Sequence, residues 1–320
     1  MAHEIEMVNG EAQMAYAGDV PWHGLGVKVP ADLSPEQMLQ KAGLDWSVDK
    51  QKLVTAQGHA VPEKMALVRS SDNKVLDIVG KDWNPVQNQE AFEFFNDFVT
   101  SGDMEMHTAG SLKGGQIVWG LAKVKESFKV FGNDEVESYL LFSNPHRFGQ
   151  SIDVRFTPIR VVCNNTLTLS LNSQAQNAVK LNHKKVFDAD AVKDMLGIAS
   201  SKLAQYKEMA EFLGSKRFNG QTLNEYLNGL FPTYSKKEAE DDQEIVLSRP
   251  AERIIELVDE QPGANFASGS WWSAFNAVTY FTDHERGRDA DARLQSAWYG
   301  QSKTLKLKAL ETAVEYAEAA

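Results

Sequence analysis

The single cysteine and the seven histidines of this 320-residue chain are the side chains best suited to nucleophilic or metal chemistry. Cys163 and His183 would form a thiolate–imidazole pair if the fold brought them together. Cys163 ends the apolar run 159–163, however, where a buried and unreactive thiol is the usual outcome. The histidines show neither HxxxH nor HExxH spacing, so the sequence predicts no catalytic residue, no metal site and no cofactor.

The basic residues are concentrated in one stretch, residues 144–187, which we call the basic segment. It carries six basic side chains and one acidic side chain, Asp153, so its net charge is +5 in a chain of net charge −11, and −16 remains for the rest. Such an excess is expected where a groove contacts an anion, and Asn and Gln side chains in the same stretch can bond phosphates or base edges. The equal alternative is that neighbours in the fold neutralise these cations.

One loop and one apolar run contain further residues that could bind a nucleic acid or support the fold. Trp22 lies in the compact loop 21–26, whose proline and glycines predict a fixed conformation. A base could stack on Trp22, although a ring that covers the core is the more usual role. Arg160 lies in an apolar run and is expected to have a structural partner, whereas Arg155 is expected to be free. The candidate nucleic-acid-binding residues are Arg147, Arg155, Lys180, His183, Lys184, Lys185 and Trp22.

Strands and one helix are predicted to position these residues in the first half of the chain. Short apolar runs bounded by Gly, Pro, Asp or Asn predict a meander with a hairpin at residues 72–74. From Asn88 onward, apolar residues at helical spacing predict one helix that packs on the sheet and stops at Gly102. The predicted strands lie around residues 52–55, 65–68, 75–79, 117–122 and 138–142.

The second half is predicted to be helical. Residues 192–213 keep one apolar face, and Thr222 with Glu225 resembles a capping box. The predicted fold class is therefore α+β, with a β-rich N-terminal half that contains one packed helix and a helical C-terminal half. The predicted regions are 1–187, which includes the basic segment, and 188–320, which includes a charged loop at 233–249; further helices are predicted around 251–258, 271–281 and 302–316.

Composition also predicts where the chain works and how it assembles. No apolar run approaches the ~20 residues that a bilayer requires, and the N-terminus shows no secretory signal, so we expect no membrane contact and a cytoplasmic location in the host cell. A homo-oligomer is expected, because the apolar face of residues 192–213 and the aromatic residues Trp271, Trp272, Phe275 and Phe281 exceed what one modest sheet can cover.

Several segments resemble the phage/plasmid-like family of uncharacterised function, which is found on phages, prophages and conjugative plasmids. They are the loop 21–26, the segments 83–88 and 140–144, the stretch 149–171, and the late motifs 271–278 and 298–300. The resemblance covers most of the chain. It implies a mobile-element context and transfers no catalytic residue.

Together these features favour a non-enzymatic nucleic-acid-handling protein that binds single-stranded DNA in replication or recombination. The alternative is an interaction protein that inhibits or decoys a host defence factor with its acidic surface. A hydrolase or transferase that uses Cys163 and His183 is the third hypothesis. A salt series with labelled single-stranded and duplex DNA separates the first two, because phosphate binding weakens as salt rises.

Overall fold

The computed structural model describes residues 5–18, 25–125, 128–131, 134–160, 165–166, 178–183, 187–188, 190, 200–233, 246–287, 296 and 301–320. The chain forms two compact units that alternate along the sequence. The first comprises Met1–Glu126, Ser138–Phe156 and Gln176–Ala199, and the second comprises Ser127–Glu137, Thr157–Ala175 and Ser200–Ala320. The division into regions 1–187 and 188–320 stays a prediction.

The first unit is built on a large, mostly antiparallel sheet. Its strands are β3 (Met14–Tyr16), β4 (Val27–Lys28), β8 (Met104–Leu112), β9 (Ile117–Val124), β11 (Asp134–Pro145), β12 (Ile152–Arg160) and β14 (Ala178–Leu181). In this unit the strand order is β4–β3–β8–β9–β11–β12–β14, and only β3 and β4 pair in parallel. A small hairpin, β1 (Met7–Val8) with β2 (Glu11–Ala12), precedes it.

A separate three-stranded meander contributes to the same core. It consists of β5 (Val48–Val54), β6 (Ala60–Arg69) and β7 (Val75–Gly80), in the order β5–β6–β7. The predicted hairpin at residues 72–74 is confirmed, and Asn73 adopts a φ of 59°, a left-handed conformation that Asn tolerates. Leu67 and Val79 are fully buried and belong to the hydrophobic cluster that also includes Phe142 of the large sheet.

Three short helices, rather than the single predicted one, fill the core of the first unit. They are α1 (Pro35–Lys41), α2 (Asn88–Glu93) and α3 (Asn96–Thr100). The predicted helix breaks between α2 and α3, where Phe94 and Phe95 are both buried. Adjacent residues of one continuous helix point about 100° apart, so the break allows both rings to enter the core.

The second unit is helical, as predicted. Its helices are α4 (Ser200–Ser215), α5 (Gly220–Leu230), α6 (Arg249–Glu260), α7 (Trp271–Tyr280) and α8 (Gln301–Glu318), with a π-helical turn at Phe281–Glu285, a 3-10 turn at Ala264–Ala267 and the short strands β10 (Phe128–Val130) and β13 (Asn165–Thr166). Every residue of α7 from Trp271 to Thr279 is buried. The α+β class, with a β-rich first half and a helical second half, is confirmed.

Two inferences about the second half need correction. The aromatic residues that suggested a homo-oligomer lie inside the unit, where Trp271, Trp272 and Phe275 are at most 1% exposed. These three side chains therefore offer no surface to a second copy, whereas Phe281 is half-buried, and the oligomeric state stays a prediction. The capping box at α5 is formed by Asn219 and Thr222 instead of Thr222 and Glu225, so the helix begins three residues earlier.

Candidate nucleic-acid interface

The turn between β11 and β12, residues 146–151, holds the first described candidate. Arg147 is half-buried; its Nε is itself buried and has no hydrogen-bond partner in the part of the chain that the structure describes. Gly149 has a φ of 79°, a conformation that glycine adopts without strain and that lets the chain reverse here. Arg147 could therefore meet a ligand only through the exposed part of its side chain, not through Nε.

Phe148, at the tip of the same turn, is a residue that sequence reasoning missed. Its side chain is 67% exposed, which is unusual for so large an apolar ring. Its backbone N–H donates a 2.7 Å hydrogen bond to Asp77 Oδ2 on β7, so the main chain beneath the ring is fixed. The available signal was a phenylalanine between an arginine and a glycine in a polar turn.

Arg155 is not the free cation that the sequence suggested. Its Nε and Nη2 both donate to the carboxylate of Asp153, the single acid of the basic segment, and the two side chains are only 12% and 7% exposed. A bidentate pair of this kind is a structural interaction. Lys180 lies on β14 directly opposite Asp153 and is exposed, so it remains available to a ligand.

His183 is buried and neutral, so it offers no positive charge to a phosphate. Its ring stacks on Trp83 with centroids 3.9 Å apart, and its Nδ1 lies 3.1 Å from the carbonyl oxygen of Asn84. Burial lowers the pKa of His183 to about 4, against the raising effect of that backbone hydrogen bond. His183 was predicted to bind nucleic acid, but the structure buries it in the core of the first unit.

Three of the seven candidates, Trp22, Lys184 and Lys185, lie outside the described residues. Cys163 of the alternative catalytic pair lies outside them as well, as does Arg160 with respect to its side chain. The described candidates that stay available to a ligand are Arg147 and Lys180, to which the structure adds Phe148. Because Lys180 faces the second residue of β12, it lies towards the same end of the sheet as the turn.

A layer of buried polar side chains lies beside this turn. His146 Nε2 is 2.8 Å from Asn88 Oδ1, while Asn88 Nδ2 donates to the carbonyl oxygens of Leu44 and Trp46. Burial, with a smaller contribution from the charge of His183, lowers the pKa of His146 to about 3. His146 is therefore neutral at physiological pH and serves in hydrogen bonding rather than in charge attraction.

The second unit contains a buried ion pair of its own. Lys306 Nζ of α8 lies 2.8 Å from Asp283 Oδ1 in the π-helical turn, and the side chains are 0% and 6% exposed. A lysine at such a depth requires an anionic partner. The pair therefore joins α8 to the π-helical turn, which is a structural task.

Two features are absent from the described residues. No three or more His, Cys, Asp or Glu side chains there are grouped as metal ligands. No helix in that part of the chain is long and apolar enough to cross a membrane. The described groups that could meet a ligand are the exposed ring of Phe148 and the half-buried Arg147 at the turn, and the exposed Lys180 on β14.

Comparison with known proteins gives a family. Curated proteins and solved structures yielded no match. A family model described as a domain of unknown function, DUF932, matches residues 75–298, which include β7, the turn at 146–151, β14 and most of the helical second half. The match covers more than half of the chain, and this chain therefore belongs to the DUF932 family.

Proposed function

We propose that this chain is a non-enzymatic, phage- or plasmid-encoded protein that binds single-stranded DNA in the host cytoplasm during replication or recombination. The observation that carries the proposal is the exposed ring of Phe148, held above a fixed main chain beside Arg147. The mobile-element context rests on the sequence resemblance alone.

An exposed aromatic ring next to a cation suits unpaired bases. Every base has a π-face, and stacking on a side chain contributes about 1–3 kcal/mol per base without depending on sequence. In a duplex those faces are occupied by neighbouring base pairs, so an isolated ring such as Phe148 favours single strands. Arg147 and Lys180 would contact the phosphates on either side of a stacked base.

The charge distribution supports local rather than general binding. The chain as a whole carries −11, which repels a polyanion from most of its surface, whereas the basic segment carries +5. The charges of Arg155 and Asp153 cancel each other in the folded state, so the net positive charge of the segment is carried by its other cations. Contact is thereby directed to the basic segment.

The test measures fluorescence anisotropy of a labelled oligothymidylate and of a matched duplex with the wild-type chain across a salt series. We expect tighter binding of the single strand and loss of affinity as salt rises. Phe148→Ala should weaken single-strand binding by about 5- to 100-fold with an unchanged salt slope, because stacking is removed and no charge is lost. Phe148→Trp should retain binding.

Matched variants distinguish DNA binding by the turn residues from DNA binding by other exposed residues. Arg147→Ala should reduce the logarithmic salt slope by about 0.7, the value for one phosphate of a single strand. Lys52→Ala removes an exposed cation of β5, and Val54→Ala removes exposed apolar surface of the same strand. Both controls should bind as the wild type does; equal losses in them and in Phe148→Ala would remove the turn from the proposal.

A host protein is the competing partner. Val75 and Ile78 are 54% and 48% exposed on β7, the strand that fixes Phe148, and exposed apolar surface of this kind also suits a protein. No salt-dependent DNA binding at low salt would reject the DNA proposal in favour of the alternative, an inhibitor or decoy of a host defence factor.

A further inference from the structure

Two buried imidazoles of the first unit each hold one nitrogen lone pair that has no partner among the described residues. Asn88 Nδ2 donates to two carbonyl oxygens, so its amide orientation is fixed and Oδ1 is the atom that faces His146. Oδ1 can only accept, so His146 Nε2 carries the proton. His146 Nδ1 is then an unprotonated nitrogen, and it is buried without a hydrogen-bond partner in the described chain.

The same reasoning fixes the tautomer of His183. The carbonyl oxygen of Asn84 can only accept, so His183 Nδ1 is the donor and Nε2 holds the lone pair. Nε2 is buried and has no partner among the described residues. His146 and His183 are 0% and 3% exposed, so water outside the protein does not satisfy these nitrogens.

Asn144 supplies a third electron pair. Its Nδ2 donates 2.8 Å to the carbonyl oxygen of Val86, which turns Oδ1 away from that carbonyl. Asn144 is fully buried, and its Oδ1 has no hydrogen-bond partner among the described residues. An uncompensated buried acceptor costs about 1–3 kcal/mol, so three of them in one region call for an occupant.

The sheet brings these three side chains to one region. Asn144 and His146 are two residues apart at the end of β11, so they point to the same face. His183 follows β14, which is separated from β11 by β12 alone, and adjacent strands are about 4.8 Å apart. The side chains also share one covering segment, because Asn84, Val86 and Asn88 provide their hydrogen-bond partners.

We propose that His146 Nδ1, His183 Nε2 and Asn144 Oδ1 bind a divalent first-row transition-metal ion, with zinc as the natural probe. Neutral imidazole is a preferred ligand of these metals, and a ligating histidine characteristically donates its other N–H to a carbonyl or a carboxylate. Both histidines already make that second hydrogen bond. The ion joins the ends of β11 and β14 beneath the segment 83–88 and acts as a structural link.

The third ligand is an amide oxygen, so the set includes two histidines and no third His, Cys, Asp or Glu side chain. The histidine lone pairs are free at neutral pH, so binding requires no proton release from either ring. The competing occupant is ordered water, which also donates hydrogen bonds to buried acceptors.

The experiment uses the full chain after treatment with a chelator and its removal. Addition of Co²⁺ should produce visible absorption bands that saturate near about one ion per chain, and Zn²⁺ should displace them and raise the melting temperature. Absence of Co²⁺ bands together with an unchanged melting temperature in excess Zn²⁺ would overturn the proposal and leave water as the occupant.

Variants assign the ligands. His183→Ala should weaken metal affinity by about 100-fold or more, while His59→Ala, which removes an exposed histidine of the β5–β6 hairpin, should leave it unchanged. Asn144→Asp replaces the neutral oxygen by a carboxylate, so it should enlarge the Zn²⁺-induced rise in melting temperature relative to the wild type. Equal affinity of wild type and His183→Ala, each shown to be folded by circular dichroism, would place any bound metal elsewhere and reject this site.

Discussion

At the scale of single residues, the cations of the basic segment differ in role because they differ in their hydrogen-bond partners. Arg147 and Arg155 are eight residues apart in the sequence. Arg155 makes two hydrogen bonds to the carboxylate of Asp153, whereas the Nε of Arg147 is buried without a partner in the described chain. Arg155 therefore stabilises the sheet, and Arg147 can meet a ligand only through the exposed part of its half-buried side chain.

Replacement of Arg155 tests this difference. Arg155→Ala leaves the buried carboxylate of Asp153 without its bidentate partner, so we expect the free energy of unfolding to fall by about 3 kcal/mol. Urea denaturation followed by circular dichroism measures the change. Lys180→Ala, which removes the exposed cation opposite Asp153, should cost less than about 1 kcal/mol; a larger loss than for Arg155→Ala would identify Lys180 as the main partner of Asp153.

At the scale of elements, the start of α5 depends on a short set of local hydrogen bonds. Asn219 Oδ1 accepts from the backbone N–H of Thr222 at 2.8 Å, and Thr222 Oγ1 accepts from the backbone N–H of Asn219 at 3.0 Å. These bonds satisfy backbone donors that a helix terminus leaves without partners. Glu225, by contrast, bonds the side chain of Gln221 one turn earlier.

The two possible caps predict different mutational costs. Asn219→Ala should reduce the free energy of unfolding by about 1 kcal/mol, because an N-cap side chain is lost. Glu225→Ala removes the exposed i,i+4 contact with Gln221 and a side-chain hydrogen bond with Tyr316, so it should cost about 0.5 kcal/mol. Urea unfolding of both variants measures the two losses. A greater loss of unfolding free energy in Glu225→Ala than in Asn219→Ala would identify Thr222 as the N-cap.

Sequence patterns predicted those elements whose signals are local. The meander β5–β7 was predictable from alternating apolar runs and from Asn73 in its turn, and α6 and α7 from apolar spacing. α1 was missed although Ser34, Pro35 and Gln37 form a complete start signal with a capping box. The break between α2 and α3 was not predictable, because it depends on how a sheet far along the chain receives two adjacent rings.

The candidate site was less predictable than the fold for the same reason. The sequence shows that cations are concentrated in residues 144–187, and the structure adds which of them have partners. The main chain at Phe148 is held by Asp77, and buried His183 contacts Trp83 and Asn84, all distant in sequence. Contacts of this range leave no periodic signal in a single sequence.

For the whole molecule, acidification has two opposing effects on stability. The chain carries −11 at neutral pH and has an isoelectric point near 5.2, so lowering the pH from 7 towards 5 reduces its net charge and its self-repulsion. Charge alone thus predicts a more stable protein in mild acid. The buried histidines predict the reverse, because protonating either ring in the folded state places a charge in the core.

The sign follows from the pKa values. The folded-state pKa values of His146 and His183 are lowered to about 3 and about 4, whereas the unfolded value is 6.5. Between pH 6.5 and 4 the unfolded chain therefore binds more protons than the folded chain, so stability is full above pH 6.5 and falls as the pH drops. Asp72, whose pKa is lowered to about 2 by Arg69, adds its own loss only below about pH 4.

We expect the free energy of unfolding to fall by up to about 4 kcal/mol between pH 7 and pH 5, about 2 kcal/mol for each histidine. Urea denaturation at a series of pH values, in buffer that contains a chelator so that metal binding adds nothing, measures the fall. His59→Ala is the matched control, since His59 is exposed, and its profile should follow the wild type. A stability that rises from pH 7 to pH 5 would mean that relief of charge repulsion outweighs the burial of the two imidazoles.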